Sequence, residues 1–111
     1  MSNEAYLHDM TAAARRAREF VKGMDAEAFE QSELHQAAVV KQLEIVGEGA
    51  NRVSAGFRDA HPEIPRKLII GMRHRLIHDY TRIDIPTVWE TTQNDLEVLI
   101  QQLTPLLPDE E

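Results

Sequence analysis

The sequence predicts an all-α fold: an antiparallel up-and-down bundle of four main helices, with room for a short extra helix. Apolar residues recur at spacings of three and four along several segments, which is the period of one helix face. No segment alternates apolar and polar residues as a half-buried strand would. The composition, 42% hydrophobic but only 5% aromatic, indicates a core of aliphatic and alanine side chains. Short connectors between the predicted helices favour the up-and-down arrangement.

The first two predicted helices each carry an apolar stripe. Helix one is expected to break near Gly23, and the connector after it has room for a helical turn around Phe29. Helix two has Ser32 and Glu33 ahead of it as capping residues. The stripe of helix one is Tyr6, Met10, Ala13, Ala17, Phe20 and Met24, and that of helix two is Val39, Leu43, Val46, Ala50, Val53 and Phe57.

Prolines and a capping aspartate set the bounds of the last two predicted helices. Helix three is expected to begin near Pro65, whose missing N–H is tolerated in a first turn, and to end near His78 to Tyr80. Asp84 resembles an N-cap, with Pro86 in the first turn of helix four. The apolar residues of helix four, which ends before Pro105, are Val88, Trp89, Leu96, Leu99, Ile100 and Leu103.

The length and composition bound the class of protein. A chain of 111 residues matches one domain, so residues 1–111 are predicted to form a single unit. The chain has no cysteine, which excludes disulfides, thiolate metal sites and cysteine nucleophiles and fits a reducing cytoplasm. The N-terminus does not read as a secretory signal, and no segment approaches transmembrane length. We therefore expect a cytoplasmic protein that does not interact with membranes.

Basic residues are concentrated at the end of predicted helix three, in "GMRHRLIHDYTR". The formal charge of the chain is −7, yet residues 66–82 hold five basic residues against one acid. That window thus carries +4 and leaves −11 for the rest of the chain. Arg73, His74 and His78 fall within a sector of about 140° on the outward side of a helix. Such an island predicts an anion site or a surface for a partner.

The motif "RHRLIHDY" resembles the signature of HepT toxins, which are small members of the HEPN ribonuclease superfamily. It has an arginine, four intervening residues, a histidine, one further residue and a tyrosine; His74 fits the polar position after the arginine. The resemblance extends over "QLEIVGEGANRV", "HPEIPRKLIIGMRHRLIHDY" and "IDIPTVWETTQNDLEVLIQQL", nearly the whole chain. Arg66 departs from the family, where tryptophan often follows "PEIP".

This resemblance implies a metal-independent endoribonuclease that works as a homodimer without a cofactor. Arg73 would hold the RNA phosphate, His78 would act as general acid or base, and His74 would have a supporting role. The products would be a 2′,3′-cyclic phosphate and a 5′-hydroxyl. The family also implies a toxin–antitoxin system in which a partner nucleotidyltransferase silences the toxin by transferring AMP to Tyr80.

Each marker also has a structural interpretation. His74 and His78 are spaced as a zinc-binding pair, but no third ligand has a clear spacing. Arg73 could be an ion-pair partner of Glu48 or Asp79, and Tyr80 could close a helix end. Glu48 reads more readily as a solvated glutamate than as a catalytic one. Packing roles are predicted for Trp89, Met10, Met24 and Met72.

The alternative function is a non-catalytic helical protein that binds a nucleotide or docks the transferase. The joint presence of the arginine, the polar neighbour, the histidine and the tyrosine favours the ribonuclease, because a docking module would not need this full set.

Overall fold

The computed structural model describes residues 2–62 and 83–107. All regular elements in these two ranges are helical, which confirms the all-α prediction. Predicted helix three lies outside the described residues. The α-helices, numbered in chain order, are α1 (Asn3–Phe20), α2 (Ala26–Glu30), α3 (Glu33–Arg52), α4 (Ala55–Ala60), α5 (Ile85–Glu90) and α6 (Leu96–Leu103); a π-helical turn (Thr91–Asp95) joins α5 to α6, and a 3-10 turn (Thr104–Leu106) follows.

α1 and α3 pack against each other in antiparallel directions. At the beginning of α1, the Asn3 amide donates to Ser54 Oγ at 3.0 Å, just past the end of α3. Further along α1, Arg16 donates to Gln42 Oε1 in the middle of α3 at 3.2 Å. Later residues of α1 therefore contact earlier residues of α3. This is the antiparallel arrangement that neighbouring helices have in an up-and-down bundle.

The last helical segment also runs antiparallel to α1. The Arg18 guanidinium reaches the Thr92 carbonyl at 2.9 Å, whereas Arg15, one turn earlier on α1, reaches Thr104 Oγ1 at 3.2 Å. At the end of the bundle where α1 terminates, the rings of Phe29 in α2 and Trp89 in α5 lie 5.4 Å apart, centroid to centroid. The short helix α2 thus closes this end of the bundle.

The core is aliphatic, as the composition predicts. It includes most of the predicted stripe positions, together with the fully buried ring of Phe29. Phe20 is the exception among those of α1, because its side chain is 36% exposed. Burying the core side chains contributes about 25 cal/mol for each Å² of apolar surface removed from water. The buried hydrophobic residues are Leu7, Met10, Ala13, Ala14, Ala17, Val21, Phe29, Val39, Leu43, Val46, Ala50, Val53, Val88, Leu96, Leu99 and Leu103.

Side-chain caps start the helices where the sequence predicts them. Ser32 Oγ accepts the backbone N–H of His35 at the start of α3, and Asp84 Oδ1 accepts that of Thr87 at the start of α5. Gly23, after α1, has a φ of 82°, which glycine adopts without a steric penalty. Each N-cap satisfies a backbone donor that has no partner within its helix.

The end of predicted helix two differs from the prediction. α3 ends at Arg52; Val53 is extended, and Ser54 caps the separate helix α4 by accepting the Phe57 N–H at 3.2 Å. The apolar stripe hid this break because Val53 is still buried and Phe57 still packs against the core. The guanidinium of Arg58 satisfies carbonyls that the break leaves open, including those of Val53 at 3.1 Å and Asn51 at 2.8 Å.

Predicted helix four contains a π-helical turn that the sequence did not indicate. In this turn the backbone N–H of Leu96 bonds to the carbonyl of Thr91, five residues earlier. The hydroxyls of Thr91 and Thr92 donate to carbonyls of the preceding turn, those of Thr87 and Trp89, at 2.8 and 2.6 Å. Over residues 2–62 and 83–107, no helix is long and apolar enough to cross a membrane.

Candidate functional site

The predicted catalytic and modification residues lie outside the described residues. Arg73, His78, the supporting His74 and the AMP acceptor Tyr80 all fall within residues 63–82. Their roles, and the zinc and ion-pair alternatives for them, therefore stay predictions. The described part of the chain includes Glu48, which was considered as a support for the site, and three of the four residues predicted to have packing roles.

Glu48, the predicted solvated carboxylate on α3, forms an ion pair one turn along its own helix. Arg52 Nε lies 2.6 Å from Glu48 Oε1, and both side chains are about half exposed. The Glu48 carboxylate, and to a smaller extent the Tyr6 hydroxyl, raise the pKa of Arg52 above its ordinary value. At this exposure the pair contributes little to stability, so its main effect is to orient two charged side chains on the surface of α3.

The residues predicted to have packing roles are in the core wherever the structure describes them. Met10 is fully buried, Met24 and Trp89 are partly buried against the core, and Trp89 contacts Phe29. Met72 falls outside the described ranges. Two of the three also border open grooves: Met24 lines one between α1 and the last helical segment, and Trp89 lines one between α2 and α5.

A cluster of basic residues on α1 was missed by the sequence analysis. The segment "RRAREFVK", residues 15–22, has four basic residues and one acid, and counting charge in short windows would have found it. Arg15, Arg18 and Lys22 line an open groove of about 620 Å³ between α1 and the last helical segment. We name it the α1–α6 groove. This groove is a concave basic surface in the described part of the chain.

Within ranges 2–62 and 83–107, no group of three histidine, aspartate or glutamate side chains is placed to hold a metal ion. The histidine pair for which zinc was considered lies outside these ranges.

Comparisons with known proteins place the sequence among ribonucleases. A family model described as "Ribonuclease HepT-like" matches residues 10–106. A Methanocaldococcus jannaschii protein named as a putative RNase is 32% identical over 96% of this chain and 91% of its own length. A Thermococcus cleftensis protein named as a probable ribonuclease HepT is 35% identical over 88% of this chain and 89% of its own. A Caldanaerobacter subterraneus protein, also named as a putative RNase, is 33% identical over 95% and 94%. No solved structure matches the chain.

Proposed function

Because the chain belongs to the HepT-like ribonuclease family, we propose that it is a metal-independent endoribonuclease and the toxin of a toxin–antitoxin system. The observation that supports this most is the coincidence of two findings. The family match covers residues 10–106, and this range contains Arg73, His74, His78 and Tyr80 in the spacing of the family signature.

The proposed reaction needs only groups that these residues supply. A ribose 2′-hydroxyl gives its proton to a base and attacks the adjacent phosphorus, while the bond from phosphorus to the 5′-oxygen breaks and that oxygen takes up a proton. The products are a 2′,3′-cyclic phosphate and a 5′-hydroxyl. His78 acts as the base or acid, since imidazole changes protonation near neutral pH. Arg73 stabilises the charge on the phosphate oxygens through its forked N–H donors, and His74 assists in orienting the phosphate.

We propose that the enzyme is a homodimer in which the Arg73 and His78 side chains of both protomers face one cleft. Two basic islands in one cleft offer more phosphate contacts than one, and they concentrate positive charge in an otherwise acidic protein. His78 of one protomer can then act on a phosphate that Arg73 of the other protomer holds.

The test is RNA cleavage by the purified, unmodified protein in EDTA, with the ends of the products identified by mass spectrometry. Arg73→Ala and His78→Ala are each expected to lower the rate by about 10² to 10⁴ while the circular dichroism spectrum stays helical. Lys41→Ala is the matched control, because it removes one exposed cation from α3. Parental rates in either folded site variant would refute the role given to that residue. A folded parent that does not cleave RNA would favour the non-catalytic docking or nucleotide-binding protein.

Control of the enzyme is proposed to act on Tyr80. A partner nucleotidyltransferase would transfer AMP from ATP to the Tyr80 hydroxyl and release pyrophosphate. The added phosphodiester is an anion close in sequence to Arg73, Arg75 and Arg82, with which it can pair in place of the RNA phosphate. Tyr80→Phe is expected to keep cleavage and to resist silencing by the transferase, as followed by intact mass and cleavage assays. Full silencing of Tyr80→Phe, with no AMP on the parent, would show that simple binding is the mechanism.

A further inference from the structure

The α1–α6 groove combines positive charge with a shape that suits an extended ligand. Three cations, Arg15, Arg18 and Lys22, face two carboxylates, Glu19 and Glu97, so the lining has a formal charge of +1 in a chain of −7. Arg15 and Arg18 lie one turn apart on α1, roughly 5 Å along its axis, and Lys22 follows just beyond the end of the helix. This row of cations is longer than one phosphate group, so it can contact successive phosphates of one strand.

Arg18 is held in the groove by the π-helical turn. Its Nη1 donates to the Thr92 carbonyl at 2.9 Å, which orients the guanidinium without neutralising it. Its charged neighbour is more distant: Arg18 Nε lies 3.7 Å from Glu97 Oε2, beyond hydrogen-bond length, and both side chains are at least one-third exposed. An exposed pair of this kind is weak, so an incoming phosphate can displace the carboxylate.

Arg15 and Lys22 extend this row in both directions along α1. Arg15 is exposed and donates from Nη2 to Thr104 Oγ1 at 3.2 Å, a neutral acceptor that leaves the positive charge in place. Lys22 is exposed just beyond the end of α1. Among the described lining residues there is no aromatic ring on which a base could stack. The groove is therefore suited to the sugar–phosphate backbone and not to base recognition.

We propose that the α1–α6 groove binds the backbone of single-stranded RNA and adds phosphate contacts to those of the proposed catalytic residues. Naming RNA as the ligand rests on the proposed function, whereas the affinity for a phosphate strand rests on the groove alone. Because the contacts are with phosphates, binding is independent of base sequence and falls steeply as salt is raised. Glu97 and Glu19 limit this affinity, so the groove retains only strands that other contacts also hold.

The experiment measures binding of a fluorescent 2′-O-methyl RNA oligonucleotide, which cannot be cleaved because its nucleophile is blocked. Lys22→Ala and Arg15→Gln are each expected to weaken binding, and each lost contact should lower the slope of log K against log salt by about 0.7. Glu97→Gln is expected to tighten binding about two- to five-fold, because it removes the competitor for Arg18. Lys41→Ala, the control outside the groove, should lose much less affinity than Lys22→Ala.

Equal losses in Lys41→Ala and Lys22→Ala, or unchanged binding in Glu97→Gln, would overturn the inference. Circular dichroism checks that each variant is folded, since cations near the C-terminus of α1 also stabilise its dipole. Cleavage assays on the parent separate the two proposals. If the parent cleaves RNA and Lys22→Ala has the same KM, the RNA-binding role of the groove is refuted but the ribonuclease proposal is not. If binding depends on the groove residues but the parent does not cleave RNA, the role of the groove is supported and the ribonuclease proposal is refuted.

Discussion

At the scale of single residues, Gly49 sets how closely α3 approaches α1. A Cβ added to Gly49 would overlap Cγ of the fully buried Met10 and lie 3.4 Å from the Tyr6 carbonyl oxygen. The overlap is with the part of the Met10 side chain nearest its backbone, so a change of rotamer at the tip cannot relieve it. Gly49 therefore acts as a contact surface between two helices, although glycine is a poor helix former.

Alanine at two glycines should have opposite effects on stability. Gly49→Ala is expected to lower the free energy of unfolding by about 1–3 kcal/mol, because overpacking outweighs the gain in helix propensity. Gly56→Ala, in the exposed helix α4, meets nothing within 4 Å and should raise it by about 0.5–1 kcal/mol. Urea unfolding followed by circular dichroism measures both. A stabilised Gly49→Ala protein would mean that the two helices are not in the close contact described here.

At the scale of elements, local chemistry made the helix starts predictable. Ser32 and Asp84 cap their helices through side chains that any reader of the sequence can identify, and Gly23 ends α1 for an equally local reason. The break at Ser54 was missed although Ser54 is a cap of the same kind, because the apolar period continues through it. It is also stabilised by the contact of Ser54 with Asn3, fifty-one residues away in the chain, and by the bonds of Arg58 to open carbonyls.

The π-helical turn is a second element that sequence periodicity could not reveal. Val88, Thr92, Leu96 and Leu99 follow spacings of four and three, so the segment reads as an uninterrupted α-helix. The bulge depends on two buried threonines and on the Arg18 guanidinium, which comes from a different helix. The basic segment could have been found by counting charge, but the groove could not, because Thr92 and Glu97, which contact Arg18, come from the other end of the chain.

At the scale of the whole molecule, charge is distributed unevenly along an acidic chain. The formal charge is −7, but basic residues are concentrated in residues 66–82 and in residues 15–22. The roles proposed for the first segment come from the resemblance of its motif and of the sequence around it to one family, and they stay predictions. Which side chains act together across two protomers is a property of the assembly, and the sequence of one chain does not contain it.

Mixing two inactive variants tests whether the proposed cleft is shared. A homodimer of Arg73→Ala keeps two His78 side chains but no Arg73, and a homodimer of His78→Ala has the reverse. In a mixed dimer one Arg73 and one His78 remain, on different protomers. If both face one cleft, co-refolding equal amounts of the two variants should restore a cleavage rate far above that of either variant alone. About half of the dimers are mixed by chance, and only these contribute to the restored rate.

Native mass spectrometry of the same sample confirms that mixed dimers have formed, and Lys41→Ala mixed with His78→Ala serves as the matched control. In the mixed dimers of that control, the Lys41→Ala protomer keeps a complete Arg73–His78 set. About a quarter of the dimers are Lys41→Ala homodimers by chance, so their contribution, measured with Lys41→Ala alone, is subtracted. Activity of the control's mixed dimers, without recovery in the Arg73→Ala and His78→Ala mixture, would mean that each protomer cleaves RNA with its own two residues. The shared cleft would then be wrong, while the assignment of Arg73 and His78 to the reaction would stand, because both groups would still be needed on the same chain to hold the phosphate and move the proton.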